Sequence, residues 1–437
     1  MRSIRVVMAG AVLLLCAAIA GTARCAPANE SKGTAIPVEL VQEDGRYRLL
    51  RGGRHYEIRG AGTAAKLDAL AAHGGNTVRT WSTRSSRGGL HILDEAAAHG
   101  LTVALCIDIG RERHGFDYDD EGAVARQLEF ARDEVRKYKD HPALLLWMIG
   151  NEPNLEFSNP RVFDAINGIS RMIHDVDGAH PTTTALAGFS PELAGLIATR
   201  APDLDFPSIQ LYADALNLPR RIEEIGYDGP LLVTEWGAIG HWEVPTTDWG
   251  APIEQNSSEK AASYLAAYKA IRSNPDQVFG SYVFLWGQKQ ERTPTWYGMF
   301  LEDGAETEAV DVLHYLWNGA WPDNRSPGIE TMQLDDRTAR DSIVITAGEQ
   351  YSASVVANDP DGDALAFRWE IMRESEATQT GGDAEEKPEA LPGLVDADRN
   401  DRVIVTAPSD PGAYRLFVYV HDGQGNAAHA NIPFRVQ

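Results

Sequence analysis

Leu144-Leu-Leu-Trp-Met-Ile-Gly-Asn-Glu-Pro-Asn154 opens as an unbroken apolar run and stops on a glycine, an amide, a carboxylate and a proline. The run is short for a helix and sufficient for a buried strand. Gly150 and Pro153 end it, so Asn151 and Glu152 sit where the strand emerges. A second stretch repeats the design. Pro230-Leu-Leu-Val-Thr-Glu-Trp-Gly237 reads as another buried strand with one carboxylate, Glu235, at its C-terminal end.

Outward from these two stretches the chain alternates. Pro37 to Gly60 reads as strands turned at Glu43-Asp44-Gly45 and again at Gly52-Gly53. The last of them, His55 to Arg59, runs into Gly60-Ala-Gly62. Helical patterns then follow strand patterns in strict order: helix 64–72, strand 76–81, helix 88–99, strand 101–107, helix 121–139 and the Leu144 strand. The order continues with helix 161–176, strand 182–186, helix 191–199, strand 206–212, helix 218–225, the Pro230 strand, helix 258–272, strand 280–286 and helix 308–317. Eight strand–helix units imply an α/β fold, a parallel sheet closed into a (β/α)8 TIM barrel. Functional groups then belong at the C-terminal strand ends, where Arg79, Asn151, Glu152, Tyr212, Glu235 and Trp286 fall. Past Trp321-Pro-Asp-Asn-Arg-Ser-Pro327 the rhythm changes to short alternating strands, at 341–346, 351–357, 365–371, 402–406 and 414–421. This predicts a small all-β immunoglobulin-like sandwich over 327–437, with 374–388 as a long polar loop. The barrel, with its N-terminal hairpin, is expected over 37–322. Were the tail only a spacer, a chain ending near Pro322 would keep its chemistry on small substrates.

Met1-Arg-Ser-Ile-Arg5 is basic, residues 6–20 are apolar, and Ala26-Pro-Ala28 offers an A-x-A cleavage site. This is the pattern of a signal peptide over 1–28, implying a secreted or periplasmic protein with no membrane insertion after its removal. The formal charge of −23 argues against nucleic acid and anionic membrane surfaces as partners. Of three cysteines, Cys16 lies in the leader and Cys25 at its end. Cys106, in Leu101-Thr-Val-Ala-Leu-Cys-Ile107, reads as a packed free thiol.

Two carboxylates at strand ends of one barrel suit glycosidic bond cleavage. One protonates the leaving oxygen. In a retaining enzyme the other, about 5–5.5 Å away, attacks the anomeric carbon. Two close carboxylates cannot both ionise easily, so one is pushed towards the proton-carrying state that an acid catalyst needs. Here a family resemblance becomes specific. His141-Pro-Ala-Leu-Leu-Leu-Trp-Met-Ile-Gly-Asn-Glu152 resembles the acid/base strand of clan A glycoside hydrolases, above all the family 2 catalytic barrel and also family 5. Val233-Thr-Glu-Trp-Gly237 resembles their nucleophile strand. Gly75-Asn-Thr-Val-Arg-Thr-Trp81 is similar to their second strand. The resemblance covers about residues 40–320. The tail resembles a cadherin- or PKD-like immunoglobulin-type domain through Ala357-Asn-Asp-Pro-Asp-Gly-Asp363 and Gly412-Ala-Tyr-Arg-Leu-Phe-Val-Tyr-Val-His-Asp422.

The resemblance implies roles. Glu152 is the general acid/base and Glu235 the nucleophile. Asn151 bonds the sugar 2-hydroxyl. Arg79 and Tyr212 hold Glu235 ionised and aimed, and Trp286 floors the subsite of the cleaved sugar. Trp81, Trp236 and Trp296 join the substrate-binding candidates, since sugar faces stack on aromatics. The outcome expected is retention on β-linked glycans, with a β-glucan or β-oligosaccharide as the preferred substrate, or transfer to a second sugar by the same residues. One departure matters: the domains that precede the barrel in full family 2 enzymes have no room here. Lys289, Glu291 and Arg292 follow the eighth strand as further candidates for substrate hydroxyls. His114 and Asp117 read as loop residues. No cluster has zinc spacing, so no catalytic metal or cofactor is expected. Asp359, Asp361, Asp363 and Asp422 suit either Ca²⁺ or a hydrogen-bonded Asx turn. The rival reading is a non-catalytic carbohydrate-binding barrel.

Overall fold

The computed structural model describes residues 34–84, 88–377, 381–396 and 400–437. The expected leader, with Cys16 and Cys25, lies outside the described residues. Eight parallel strands close into a barrel: Ile58–Gly62, Thr77–Arg79, Thr102–Ile107, Leu144–Asn151, Thr182–Ala187, Ser208–Gln210, Leu231–Gly237 and Val278–Phe284. The eighth pairs back onto the first, from Gly280 opposite Ile58 to Val283 opposite Ala61. Helices Leu67–Ala72, Gly88–Ala98, Glu121–Tyr138, Arg161–Val176, Pro191–Arg200, Leu218–Ile225, Ser257–Arg272 and Glu308–Asn318 follow the strands in turn. The (β/α)8 barrel expected from the alternation is therefore present.

The apolar runs are explained by burial on both faces, as covered parallel strands require. All eight residues of Leu144–Asn151 are buried. Leu146 and Met148 share the barrel interior with Ala104, Cys106, Leu232 and Tyr282. Trp147 and Ile149 belong instead to the layer between sheet and helices. Cys106 is a free thiol inside this packing, and burial pushes its pKa up to about 12. A thiol so held stays protonated and is not a nucleophile.

The N-terminal strands Val38–Glu43, Arg46–Arg51 and Arg54–His55 form an antiparallel sheet. Its two-residue turns, Asp44-Gly45 and Gly52-Gly53, have positive φ throughout, as tight hairpins demand. The sheet docks on carbonyls that precede barrel strands. Val38 N donates to Ala179 O (2.8 Å), Tyr47 N to Asp276 O (3.0 Å) and Arg51 Nη2 to Pro142 O (2.6 Å). It therefore covers the N-terminal mouth and leaves the C-terminal mouth uncovered by this sheet.

From Gly328 the chain forms two four-stranded sheets with one core between them. One holds Gly328–Leu334, Gln350–Asn358, Arg402–Thr406 and Val395–Asp396. The other holds Ile343–Ile345, Ala427–Val436, Gly412–His421 and Ala366–Arg373. Pairing is antiparallel except between Ile343–Ile345 and Ala427–Val436. Gly328–Leu334, Val395–Asp396 and Ala427–Val436 were not expected from sequence. Ala427–Val436 carries Pro433 and no alternation, because both its faces are buried. Its outer face lies on the barrel: His429 N donates to Ser257 Oγ (3.1 Å) and Asn431 Nδ2 to Glu254 Oε2 (2.6 Å). Arg415, 1% exposed, bonds Glu374 and Asn431 beside it and reaches Pro252 O on the barrel at 2.8 Å. Leu301 and Ala305 of the barrel pack with Met372, Phe417, Tyr419 and Ala427.

Candidate active site

Glu235 stands near the end of the seventh strand, its side chain 5% exposed. Oε1 accepts from the Arg79 guanidinium and from Trp81 Nε1 (2.8 Å), and Oε2 accepts from the Tyr212 hydroxyl (2.8 Å). Arg79 is wholly buried at the end of the second strand. An arginine there is stable only with anionic and carbonyl partners, and it has both, since Thr234 O is 3.4 Å away. Burial and the Glu235 charge raise the Tyr212 hydroxyl well above 10, so it remains a donor at every working pH. Three donors thus fix the Glu235 carboxylate in one orientation.

The fourth strand ends in a turn that only glycine permits. Gly150 has φ +74, and a Cβ there would lie 2.6 Å from Ile109 Cγ1. Asn151 follows, its Oδ1 accepting from the Arg79 guanidinium and from Gln210 Nε2 (2.7 Å). With the oxygen occupied, the amide N–H group is left for a ligand. Glu152 has φ +51, a left-handed conformation that costs about 1 kcal/mol or more in a residue with a Cβ. Its N–H donates to Ala185 O (2.8 Å) on the fifth strand, which holds the backbone in place. Burial first, and the Glu235 charge second, raise the Glu152 carboxyl to about 7 against the opposing charges of Arg79, Arg113 and Arg111. One carboxylate clamped by donors and one raised towards neutrality is the division of labour an acid and a nucleophile need.

Both line a cleft of about 650 Å³ at the C-terminal mouth. Trp81, Asn151 and Tyr212 line it too. Arg79, expected among the substrate-binding residues, lies behind Glu235 and Asn151 rather than on the cleft wall, and three expected aromatic contacts do not line it either. Trp236, 1% exposed, packs on Tyr264 and Tyr268 of the helix Ser257–Arg272, because neighbours along a strand face opposite ways and Glu235 takes the inward one. Trp286 lies beyond the last residue of the eighth strand, so strand parity no longer directs it. It is fully buried against His73, Phe300 and Trp317, and its indole N–H donates to Lys66 O (3.1 Å). Phe284 takes the cleft position at that strand end. Trp296, 1% exposed, donates to Ile239 O (2.9 Å) and anchors the loop beneath the site.

Of the charged residues after the eighth strand, Lys289 and Glu291 line the cleft and pair at 2.5 Å. Arg292 turns to the tail, its N–H donating to Glu385 Oε2 (2.8 Å) and its guanidinium to Ala377 O. His114 lies 3.5 Å from Asp383, and Asp117 accepts from Asp119 N (2.8 Å). Several cleft residues went unforeseen: Arg111, Arg113, Gln210, Glu243, Gly381 and Gly382. Gln210 was within reach, since it shares the parity of Tyr212 at the end of the sixth strand. The glycines belong to the tail, whose return to the barrel no local pattern announces. Carboxylate oxygens of Asp359, Asp363 and Asp422 lie within 4.8 Å of one another. Asp359 Oδ1 accepts from the N–H groups of Asp361 and Asp363, and Asp422 Oδ1 from those of Gln424 and Asn426, as Asx turns do.

Residues 71–238 match the model of the glycosyl hydrolases family 2, TIM barrel domain. No curated protein sequence matches the chain. Among solved structures, β-glucuronidase 2 of Bacteroides uniformis, covalently bound to cyclophellitol-6-carboxylate aziridine, is 12% identical with a TM-score of 0.51, over 92% of this chain and 48% of its own. The β-glucuronidase of Bifidobacterium dentium, complexed with coumarin-3-O-glucuronide, is 17% identical with a TM-score of 0.51, over 66% and 50%. That of Faecalibacterium prausnitzii is 17% identical with a TM-score of 0.50, over 64% and 52%. This chain spans about half the length of those proteins, and at these identities the likeness is one of fold. The family match runs through the strands that carry Arg79, Asn151, Glu152 and Glu235, and the closed barrel presents them at one mouth; over the matched residues the barrel is similar to the family 2 glycosyl hydrolase TIM barrel domain.

Proposed function

We propose that the protein is a retaining β-glycosidase. Glu235 attacks the anomeric carbon while Glu152 protonates the departing oxygen, and Glu152 then draws the proton from an incoming water. The observation that carries this reading is the contrast between the two carboxylates in one cleft. Glu235 is held by Arg79, Trp81 and Tyr212, and Glu152 is raised to about 7. Asn151, with its N–H group free, bonds the sugar 2-hydroxyl. Trp81, Phe284 and Tyr212 supply apolar surface for the sugar face. A β-glucan or β-linked oligosaccharide is the preferred substrate, and a second sugar that outcompetes water makes the same residues a transglycosylase. The basic start, the apolar stretch over 6–20 and Ala26-Pro-Ala28 support export to the periplasm or beyond. The test is a panel of aryl β-glycosides with the native protein and Glu235→Gln. Hydrolysis with retained configuration, lost in the variant, is expected. Activity unchanged in Glu235→Gln would refute the assignment of the nucleophile, and no cleavage by the native protein would leave a carbohydrate-binding barrel.

A further inference from the structure

The loop after the third strand contributes two arginines to the cleft, Arg111 and Arg113. The side chain of Arg113 is 5% exposed, yet its Nε and Nη1 have no hydrogen-bond partner among the described residues. A guanidinium carries five N–H donors, and leaving them unmet inside a protein costs more than a neutral donor would. Its nearest carboxylate, Asp383, is an ion-pair partner at 3.6 Å rather than a hydrogen-bond partner, and His114 shares the same carboxylate at 3.5 Å. Among the described residues Arg111 makes no ion pair. The loop is fixed. Glu112, between the two arginines, accepts from Ser158 N (2.8 Å), Ser158 Oγ (2.6 Å) and Asn159 N (3.0 Å) in the loop after the fourth strand. That clip holds Arg111 and Arg113 beside the strand that carries Glu152.

Among the described residues the other charges of the cleft are already matched, apart from Glu152, whose carboxyl is held towards the neutral form by burial and by Glu235. Asp214 binds Arg221 (2.9 Å), Glu243 accepts from Ala213 N and Gly240 N (3.0 Å each), Glu291 pairs with Lys289, and Glu235 with Arg79. The open charge is therefore the positive charge at Arg111, with that of Arg113, whose one ion pair among the described residues is the 3.6 Å contact with Asp383. It persists in a chain of net charge −23, because charges beyond about one Debye length are screened while those lining a cleft are not. The arginines sit on the side of the acid catalyst, and the acid faces the leaving oxygen. What they meet is the unit that departs, not the sugar that is attacked.

We propose that Arg111 and Arg113 form a subsite for an anionic group, a carboxylate or a sulfate ester, on the leaving-group side of the scissile bond. Planar N–H pairs suit either group. This rests on the glycosidase reading and assigns its substrate an acidic unit next to the cleaved linkage. Asp383, from the tail, is a positioning residue that orients Arg113.

The experiment compares β-linked disaccharides that share one glycone and differ in the leaving unit: glucose, glucuronic acid or glucose 6-sulfate. Glycones of glucose, galactose, mannose and glucuronic acid are taken in turn, alongside the matching aryl glycosides. The native protein is expected to prefer an acidic leaving unit by about tenfold or more in kcat/KM. Arg113→Gln and Arg111→Gln lower that preference by about tenfold, chiefly through KM, and Arg113→Lys restores part of it. The uronate and sulfate arms tell which anion is read. Asp383→Asn changes the preference through KM and leaves the melting temperature within about 2 °C. Cleavage of neutral aryl glycosides with no preference for either acidic unit overturns this inference and leaves the glycosidase reading standing. No cleavage of any glycoside overturns both. If Arg113→Gln does not fold, the preference of native protein and of Arg111→Gln decides.

Discussion

Replacing Glu152 by glutamine separates its proposed role as the acid from what its buried carboxyl costs the fold. Its carboxyl is raised from 4.5 to about 7, first by burial and then by the Glu235 charge. Below pH 4.5 it is protonated in both folded and unfolded chains and has no effect on their balance. Between 4.5 and about 7 the unfolded chain releases the proton and the folded protein keeps it. Stability therefore falls as pH rises, by about 1.4 kcal/mol per unit. Above about 7 the loss levels off at about 3 kcal/mol. Glutamine has the same shape and no charge, so Glu152→Gln is expected to equal the native protein at pH 4 and exceed it by about 3 kcal/mol at pH 8. Urea denaturation at the two pH values reads this directly. The variant must also lose general acid catalysis, about 10²- to 10⁴-fold on alkyl glycosides and less on nitrophenyl glycosides, whose leaving oxygen needs little protonation. The native rate should fall as pH climbs through about 7. A variant no more stable than native at pH 8, or one equally active on alkyl glycosides, would refute the reasoning.

Tyr212→Phe removes the hydroxyl on Glu235 Oε2 and keeps the ring edges against Phe284 and Tyr297. kcat/KM on an aryl glycoside should drop at least about tenfold with little change in melting temperature. Trp236→Phe should cost about 1–3 kcal/mol in a melting or denaturant experiment through lost packing on Tyr264 and Tyr268, with KM within about twofold of native. A chain ending near Pro322 should melt well below the full protein and bind a hydrophobic dye. It uncovers Leu301 and Ala305 and strips Asn431 from buried Glu254. A truncated protein as stable and active as the whole would return the tail to the role of spacer.

Much of the site was legible because barrel strands obey simple parity and end on groups that chemistry needs. Glu235 and Tyr212 face the same cleft, as do Asn151 and Trp81, and each could be placed at a strand end from local sequence. Aromatics were the weak point. Tryptophan suits a sugar platform and a core equally, and composition does not tell which. Trp236 was decided by the parity of Glu235, Trp286 by the end of its strand, and Trp296 by a carbonyl 2.9 Å from its indole nitrogen. The cleft residues Gly381 and Gly382 lie more than 140 positions from Glu235 and come from another sheet system. Their arrival depends on Ala427–Val436 burying its second face on the barrel, a strand whose own sequence, with Pro433, argues against itself.

Alternating apolar runs and helical patterns by themselves set the barrel, its chain order and the two glutamates, because hydrophobic periodicity is local and each βα unit can bury its apolar face only by joining the next. The tertiary structure alone decided which partner each side chain found. It brought Arg79 to Glu235 across 156 residues, left Arg113 with open donors, and made the tail a wall of the cleft. Those outcomes depend on long-range approach and on the balance of desolvation against charge, neither of which is carried by any short stretch of chain.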